Sequence, residues 1–354
     1  MKRTLTPDDI EPAVFGGAIL GGGGGGFVEP GLRTAALALR VGGPELWSVD
    51  EFDDEALTAT VALVGAPAAP DALVRPAHLM RALDLLSSRV PGGRLAAVNT
   101  NENGAETTVN GWFHAALSGM PVIDVACNGR AHPTSVMGAM GLHLQPDYTS
   151  IQAFAGGRTE VYVEGVTSGR MEGASGVVRR ASIEAGGWVG VARNPVTVGY
   201  AAEHGATGAI SFAINLGRVF LDGGLAAVTE QLGGRIVGTG TVSSYTCEQV
   251  DGLDVGRIGL TGPSGTTLLF VNEYMLAEVD GERVGAFPDL IMTFDENGKP
   301  LPSARVSLGQ TMSVLVAPAS SLKLASTMFM PDLYLPLEKA LGIQFAPRVE
   351  DAGF

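Results

Sequence analysis

The 354-residue chain predicts an α/β fold: a mostly parallel sheet covered by helices, joined to a β-rich second domain. Three observations carry this. Strand-like and helix-like segments alternate through the first 150 residues at the spacing of strand–helix–strand units. From Arg235 to Pro318 the pattern turns to β. Hydrophobic residues make up 45% of the chain and charged residues only 17%, so there is enough apolar side chain for sizeable cores. We therefore expect an α/β amino-terminal domain over 1–150 and a β-rich α+β carboxyl-terminal domain over 151–345.

In order along the chain, Thr6 can cap a helix opening at Pro7, a favourable first position. Gly21 to Gly26 break it, and Pro30 opens a second helix through Leu39. Leu46 to Val49 and Thr58 to Val64 read as strands, the latter ending at Gly65-Ala66-Pro67. Leu79, Leu83, Leu86 and Val90 share a helical face. Leu95 to Val98 form a short buried strand. Val109, Trp112, Phe113, Ala116 and Leu117 then make an i, i+3, i+4, i+7, i+8 stripe, and the strand Val122 to Val125 follows. Residues 151–165 read as strand and 171–185 as helix. Ile210, Ala213, Ile214, Gly217 and Leu221 mark another helix face. Asp280-Gly281 and Asn297-Gly298 are strong hairpin signals. From Pro347 the chain reads as a frayed tail.

Composition excludes several roles. A net charge of −14 and no basic run argue against nucleic acid and anionic membranes, which need clustered Lys and Arg. No run approaches the ~18 apolar residues of a membrane span. Two cysteines, Cys127 and Cys247, fit a reducing cytoplasm better than a disulfide framework. The expected partner is a small-molecule substrate, with no nucleic acid and no membrane, and the expected state is a homo-oligomer.

Chemistry concentrates between Glu102 and Pro133. An apolar strand ending at Asp124 runs into a loop bearing Cys127, Asn128, Arg130 and His132. Ligands of open α/β sheets sit beyond the carboxyl ends of strands. Cys127 needs a base or cation nearby to act as a thiolate, and His132 or Arg130 supplies one. The plainer alternative is a small buried residue at a strand end. Glu102, in the loop after Val98, opens onto the same crevice and suits a general base. A charge at a helix N-terminus describes Glu106 better. Asn272-Glu273-Tyr274 interrupts a strand, either as a turn or as the second domain's contribution to a shared cleft.

Gly21, Gly23 and Gly26 fit G-x-G-x-x-G, but a helix precedes them where a dinucleotide fold places a strand. A crossing loop, or a backbone cradle for an anion or carbonyl oxygen, is the better reading. His132 and His143 with Cys127 offer the nitrogen and sulfur donors that zinc takes, though no local spacing demands a metal. His114 and His78 read as surface residues.

With these residues in view, the chain resembles the S-methyl thiohydantoin desulfurase family. The resemblance rests on Gly21–Gly26, Gly65-Ala66-Pro67 and Glu102 with Gly104, then Gly119-Met120-Pro121-Val122-Ile123-Asp124 and Gly129-Arg130-Ala131 with Pro133. Val271-Asn272-Glu273, Pro288-Asp289-Leu290-Ile291 and Gly309-Gln310 continue it. It implies an α/β amino-terminal and a β-containing carboxyl-terminal domain. It also implies hydrolytic loss of methanethiol from an S-methylated thiohydantoin ring, giving a hydantoin. The family commonly carries Asp-Gly-Met where this chain has Ala126-Cys127-Asn128, and Phe-Pro-Glu where it has His132-Pro133-Thr134. Its second glycine after the glutamate is here Ala105.

The resulting expectation is a hydrolase of a small five-membered ring of the thiohydantoin or hydantoin type. Cys127, His132 and Glu102 would be catalytic. Asn128, Arg130, Asp124, Asn272 and Glu273 would bind substrate. The alternative is a non-catalytic ligand-binding subunit that partners a hydantoinase-like enzyme.

Overall fold

Two sheets organise the computed structural model, which describes residues 1–65, 71–90, 92, 94–250 and 253–346. Ala66-Pro67 and the tail from Pro347 lie outside the described residues.

The first half comprises β1 (Lys2–Thr4), α1 (Ile10–Gly21), α2 (Val28–Val41), β2 (Glu45–Trp47), β3 (Leu57–Gly65), α3 (Pro76–Ser87), β4 (Ala97–Thr100), α4 (Asn110–Ser118) and β5 (Val122–Ala126). It continues with β6 (Ser150–Gly156), β7 (Val163–Gly169), α5 (Met171–Glu184), β8 (Trp188–Thr197), α6 (Val198–His204), β9 (Ala206–Thr207) and α7 (Ala209–Gln231). Among the described residues these strands form one sheet in the order β1-β2-β5-β4-β3-β8-β6-β7, with β9 beside β5.

The sheet is mixed, which corrects the expectation of a mostly parallel one. Only the β2-β5-β4-β3 block is parallel. Strand β8 joins β3 antiparallel, and β6 and β7 follow antiparallel. Strands β6 and β7 make an antiparallel pair, which needs only a short connection, whereas each parallel pair needs a crossover. Helices cover both faces. Val61, Val98 and Val122 pack in one core with residues of α1 to α4, while Val189, Val191 and Phe154 pack against α5.

Strand β8 was not anticipated, and it carries a buried charge. On the α5 face, Asn99, Thr60, Arg193 and Gln152 are direct cross-strand neighbours on β4, β3, β8 and β6. All four are buried, forming a polar row across the sheet.

The second half comprises β10 (Arg235–Val250), β11 (Leu253–Thr261), β12 (Thr266–Val271), β13 (Glu273–Val279), β14 (Glu282–Ala286), β15 (Leu290–Asp295), β16 (Pro300–Leu301), β17 (Thr311–Ala317) and α8 (Leu335–Leu341). The strands form an antiparallel sheet in the order β14-β13-β12-β11-β10-β17-β15-β16. Asp280 and Gly281 both have positive φ, 51° and 85°, the backbone of a type I′ hairpin.

Helix α7 joins the halves. Its length and composition would suit a membrane span, which qualifies the expectation drawn from apolar runs alone. In the structure Ala213, Leu216 and Phe220 pack with Ile19 and Leu20 of α1 and with Leu290, Met292 and Leu315 of the second sheet. Gly16 and Gly217 let α1 and α7 touch backbone to backbone. A Cβ at either would lie 1.8 Å from a carbonyl oxygen of the other helix. Two histidines read as surface residues are buried: His78 on α3 and His114 on α4.

Candidate functional site

The loops after β4 and β5 lie side by side, because the Cys127 N–H donates to the carbonyls of Thr100 and Asn101 at 3.1 Å. This places Glu102 and His132 together. Nδ1 of His132 lies 2.8 Å from Oε2 of Glu102, off the direction of a well-aligned hydrogen bond, with both side chains almost wholly buried. Asn101 donates from Nδ2 to the same carboxylate oxygen at 3.2 Å, and accepts from Arg193 Nη2 at 2.7 Å. A chain of polar contacts therefore runs from the buried guanidinium on β8 to the imidazole. Sequence reading named Glu102 and His132 as separate candidates without pairing them, and missed Arg193 and Asn101. The available signal was Arg193-Asn194 inside the otherwise apolar run Trp188 to Val196.

Arg130 is fully buried and points to the second sheet. Its Nη1 donates to the carbonyls of Pro288 at 3.1 Å and Asp289 at 2.5 Å, and the guanidinium sits 4.6 Å over the Phe287 ring. Its Nε and Nη2 have no partner. Burial lowers its pKa to about 10, opposed by the nearby charge of Glu273. It remains a cation at neutral pH.

Glu273 enters from the opposite side, at the start of β13. Asn272 before it holds φ 56°, and its Oδ1 accepts from the Asp254 N–H, so a one-residue turn aims Glu273 inward. The carboxyl is buried and its Oε2 has no partner. Burial, and then the charge of Glu102, push its pKa well above the usual carboxylate range.

The glycine run threads between these groups. A Cβ at Gly22 would lie 2.0 Å from Arg130 Nη2, one at Gly24 1.9 Å from Glu273 Oε1, and one at Gly26 2.6 Å from Glu106 Oε1. Gly138 repeats the pattern, since a Cβ there would lie 2.4 Å from His132 Nε2. Gly22 also caps α1 in the left-handed region at φ 57°, a conformation glycine adopts without penalty. The run is a wall of bare backbone facing polar side-chain ends. Beside Gly24 and Gly26 lies a cavity of about 20 Å³, room for one water.

The remaining expected site residues are placed elsewhere. Cys127 Sγ lies 3.2 Å from Thr60 Oγ1 and 3.3 Å from Asn99 Nδ2, and burial pushes the thiol pKa up. Asp124 accepts from the Ile210 and Ser211 N–H groups at 2.9 and 3.1 Å, capping α7. Asn128 faces Met328, and Asn272 forms the turn. Glu106 accepts from the Phe27 N–H, satisfying the start of α2. Among the described residues, no three of His, Cys, Asp and Glu are grouped to hold a metal, so Cys127, His132 and His143 do not form a ligand set. The site thus combines a carboxylate–imidazole pair, a cation with free donors and a second carboxyl.

The S-Me-THD-like N-terminal domain matches residues 8–164, and the S-Me-THD-like C-terminal domain matches residues 170–326. The chain belongs to the S-Me-THD-like family. The two matched units cover most of its length, the first ending early in β7 and the second beginning just after it. No curated protein matches the chain. A crystal structure of a protein from Chromobacterium violaceum is 23% identical, with 95% of this chain and 96% of that one covered at a TM-score of 0.74. At that identity the likeness concerns the fold.

Proposed function

We propose that this S-Me-THD-like protein is a hydrolase of S-methylated five-membered thiohydantoin rings, releasing methanethiol and leaving a hydantoin. The observation that carries the reading is the meeting of the Glu102–His132 pair with Arg130 and Glu273, contributed from both halves of the molecule.

In this reading His132 takes a proton from water, and Glu102 stabilises the imidazolium that forms. The water oxygen bonds to the ring carbon bearing sulfur, and the C=N electron pair moves to the ring nitrogen, which takes up a proton. Collapse of the intermediate forms the carbonyl, breaks the C–S bond and returns the hydroxyl proton to the group that protonated the nitrogen. Methanethiolate departs and takes the proton held on His132. Arg130 uses its free Nε and Nη2 donors to hold a ring carbonyl oxygen. Water serves as the nucleophile because Cys127 is enclosed and its thiol is held protonated.

Incubating the purified chain alone with an S-methyl thiohydantoin tests this. Methanethiol and hydantoin in equal amounts are expected. Binding without product would make the chain a ligand-binding subunit and overturn the reading.

A further inference from the structure

Adding water across a C=N bond needs a proton for the nitrogen as well as a base for the water. The Glu102–His132 pair supplies the base, and one buried carboxyl in the site is left without a task. We propose that Glu273 is the proton donor to the ring nitrogen, a role resting on the hydrolase reading above.

Its geometry suits a donor. Glu273 stands on the second sheet, whereas Glu102 and His132 stand on loops of the first, so base and acid come from different halves of the molecule. Its Oε1 abuts the bare backbone of Gly24, and its Oε2 is buried without a partner. The charged groups acting on it are Glu102, which favours the protonated form, and Arg130, which opposes it. Burial is the larger cause and acts in the same direction as Glu102, so this carboxyl gives up its proton less readily than an ordinary glutamate. A carboxylic acid kept neutral in this way can donate where an ordinary glutamate only accepts.

The proton balance closes. Water gives one proton to His132 as its oxygen bonds to carbon, and Glu273 gives one to the nitrogen receiving the electron pair. When the intermediate collapses, its hydroxyl proton returns to the Glu273 carboxylate. Methanethiolate leaves with the proton from His132. Both groups end in their starting states.

The test compares E273Q with the unsubstituted chain on two substrates. One is a neutral S-methyl thiohydantoin; the other is its N-methylated cation, whose ring is already activated and needs no proton. On the neutral ring E273Q is expected to lose about 100-fold or more in kcat. On the cation the loss is expected to stay within about tenfold, a difference that a merely structural role for Glu273 would not produce. Equal losses on both, or no loss on the neutral ring, overturn the donor role. Failure of the unsubstituted chain to release methanethiol from either ring overturns the hydrolase reading itself. Infrared difference spectra supply a readout independent of turnover: a protonated carboxyl band at neutral pH that E273Q removes is expected, and its absence from the unsubstituted chain overturns the donor role.

Discussion

Cys127 and Arg130 lie three residues apart in one loop, and the fold treats them in opposite ways. The thiol is enclosed between Thr60 and Asn99, within hydrogen-bonding distance of both. The guanidinium is just as buried, yet two of its nitrogens have no partner, and Glu273 across from it has an unpartnered oxygen too. An unpaired buried polar atom costs about 1–3 kcal/mol. The Cys127 thiol is held in the strand framework by contacts with its neighbours on β3 and β4. The Arg130 side carries donors and acceptors that a ligand can use. Read from residue type alone, the reactive member is Cys127 and Arg130 only binds.

The sharpest way to break this contrast is to remove the imidazole on the unsatisfied side. His132→Ala is expected to reduce methanethiol release by about 10³-fold. Activity within tenfold of the unsubstituted chain would remove the Glu102–His132 pair from the mechanism. A second buried imidazole provides the control. His114 has a backbone carbonyl, that of Asn110, 2.9 Å from Nδ1, and burial lowers its pKa to about 4 from 6.5. The unfolded chain therefore takes up this proton first. Its contribution to stability is complete above pH 6.5 and is lost as the pH falls through about 4, by about 3 kcal/mol in all. Urea unfolding of His114→Gln should lack this acid-side loss, and its turnover at neutral pH should be unchanged.

Gly24→Ala pushes a methyl group into Glu273 and should cost about 2 kcal/mol by urea unfolding. Most of that should be recovered when Glu273→Ala is added, and simple additivity would show that the two positions do not meet. The smallest effect is expected on the satisfied side. Cys127→Ala should lose about 1 kcal/mol of stability and keep turnover within about threefold. Abolished turnover in a folded Cys127→Ala variant would restore the thiol as nucleophile.

Much of this was legible in the sequence, and what was missed shares a cause. The core block β2 to β5 follows from local periodicity, and Asp280-Gly281 marks its turn because only a few residues tolerate positive φ. Glu102, Arg130, His132 and Glu273 were all legible as polar residues at strand ends. The role of Asp124 was misjudged because its partners, Ile210 and Ser211, lie more than 80 residues away. The antiparallel insertion of β8 escaped for the same reason, and Arg193 with it. The glycine run could be seen as a break in α1, but its function depends on which atoms face it, and those come from both sheets. Pairings across long sequence separations leave no period in the chain.

The crossing of α1 and α7 has a consequence for anyone dissecting this gene. Gly16 belongs to the first family unit and Gly217 to the second, and each packs against the other helix's main chain. The unit boundary after residue 164 also strands β8 and β9 away from the sheet they complete. The two units are therefore not interchangeable cassettes. Expressed separately, each half would display a glycine-lined helix and an open sheet edge. Expressed together from two plasmids, they have the surfaces to reassemble, so a split at this boundary would make a natural reporter of association rather than a route to a minimal enzyme.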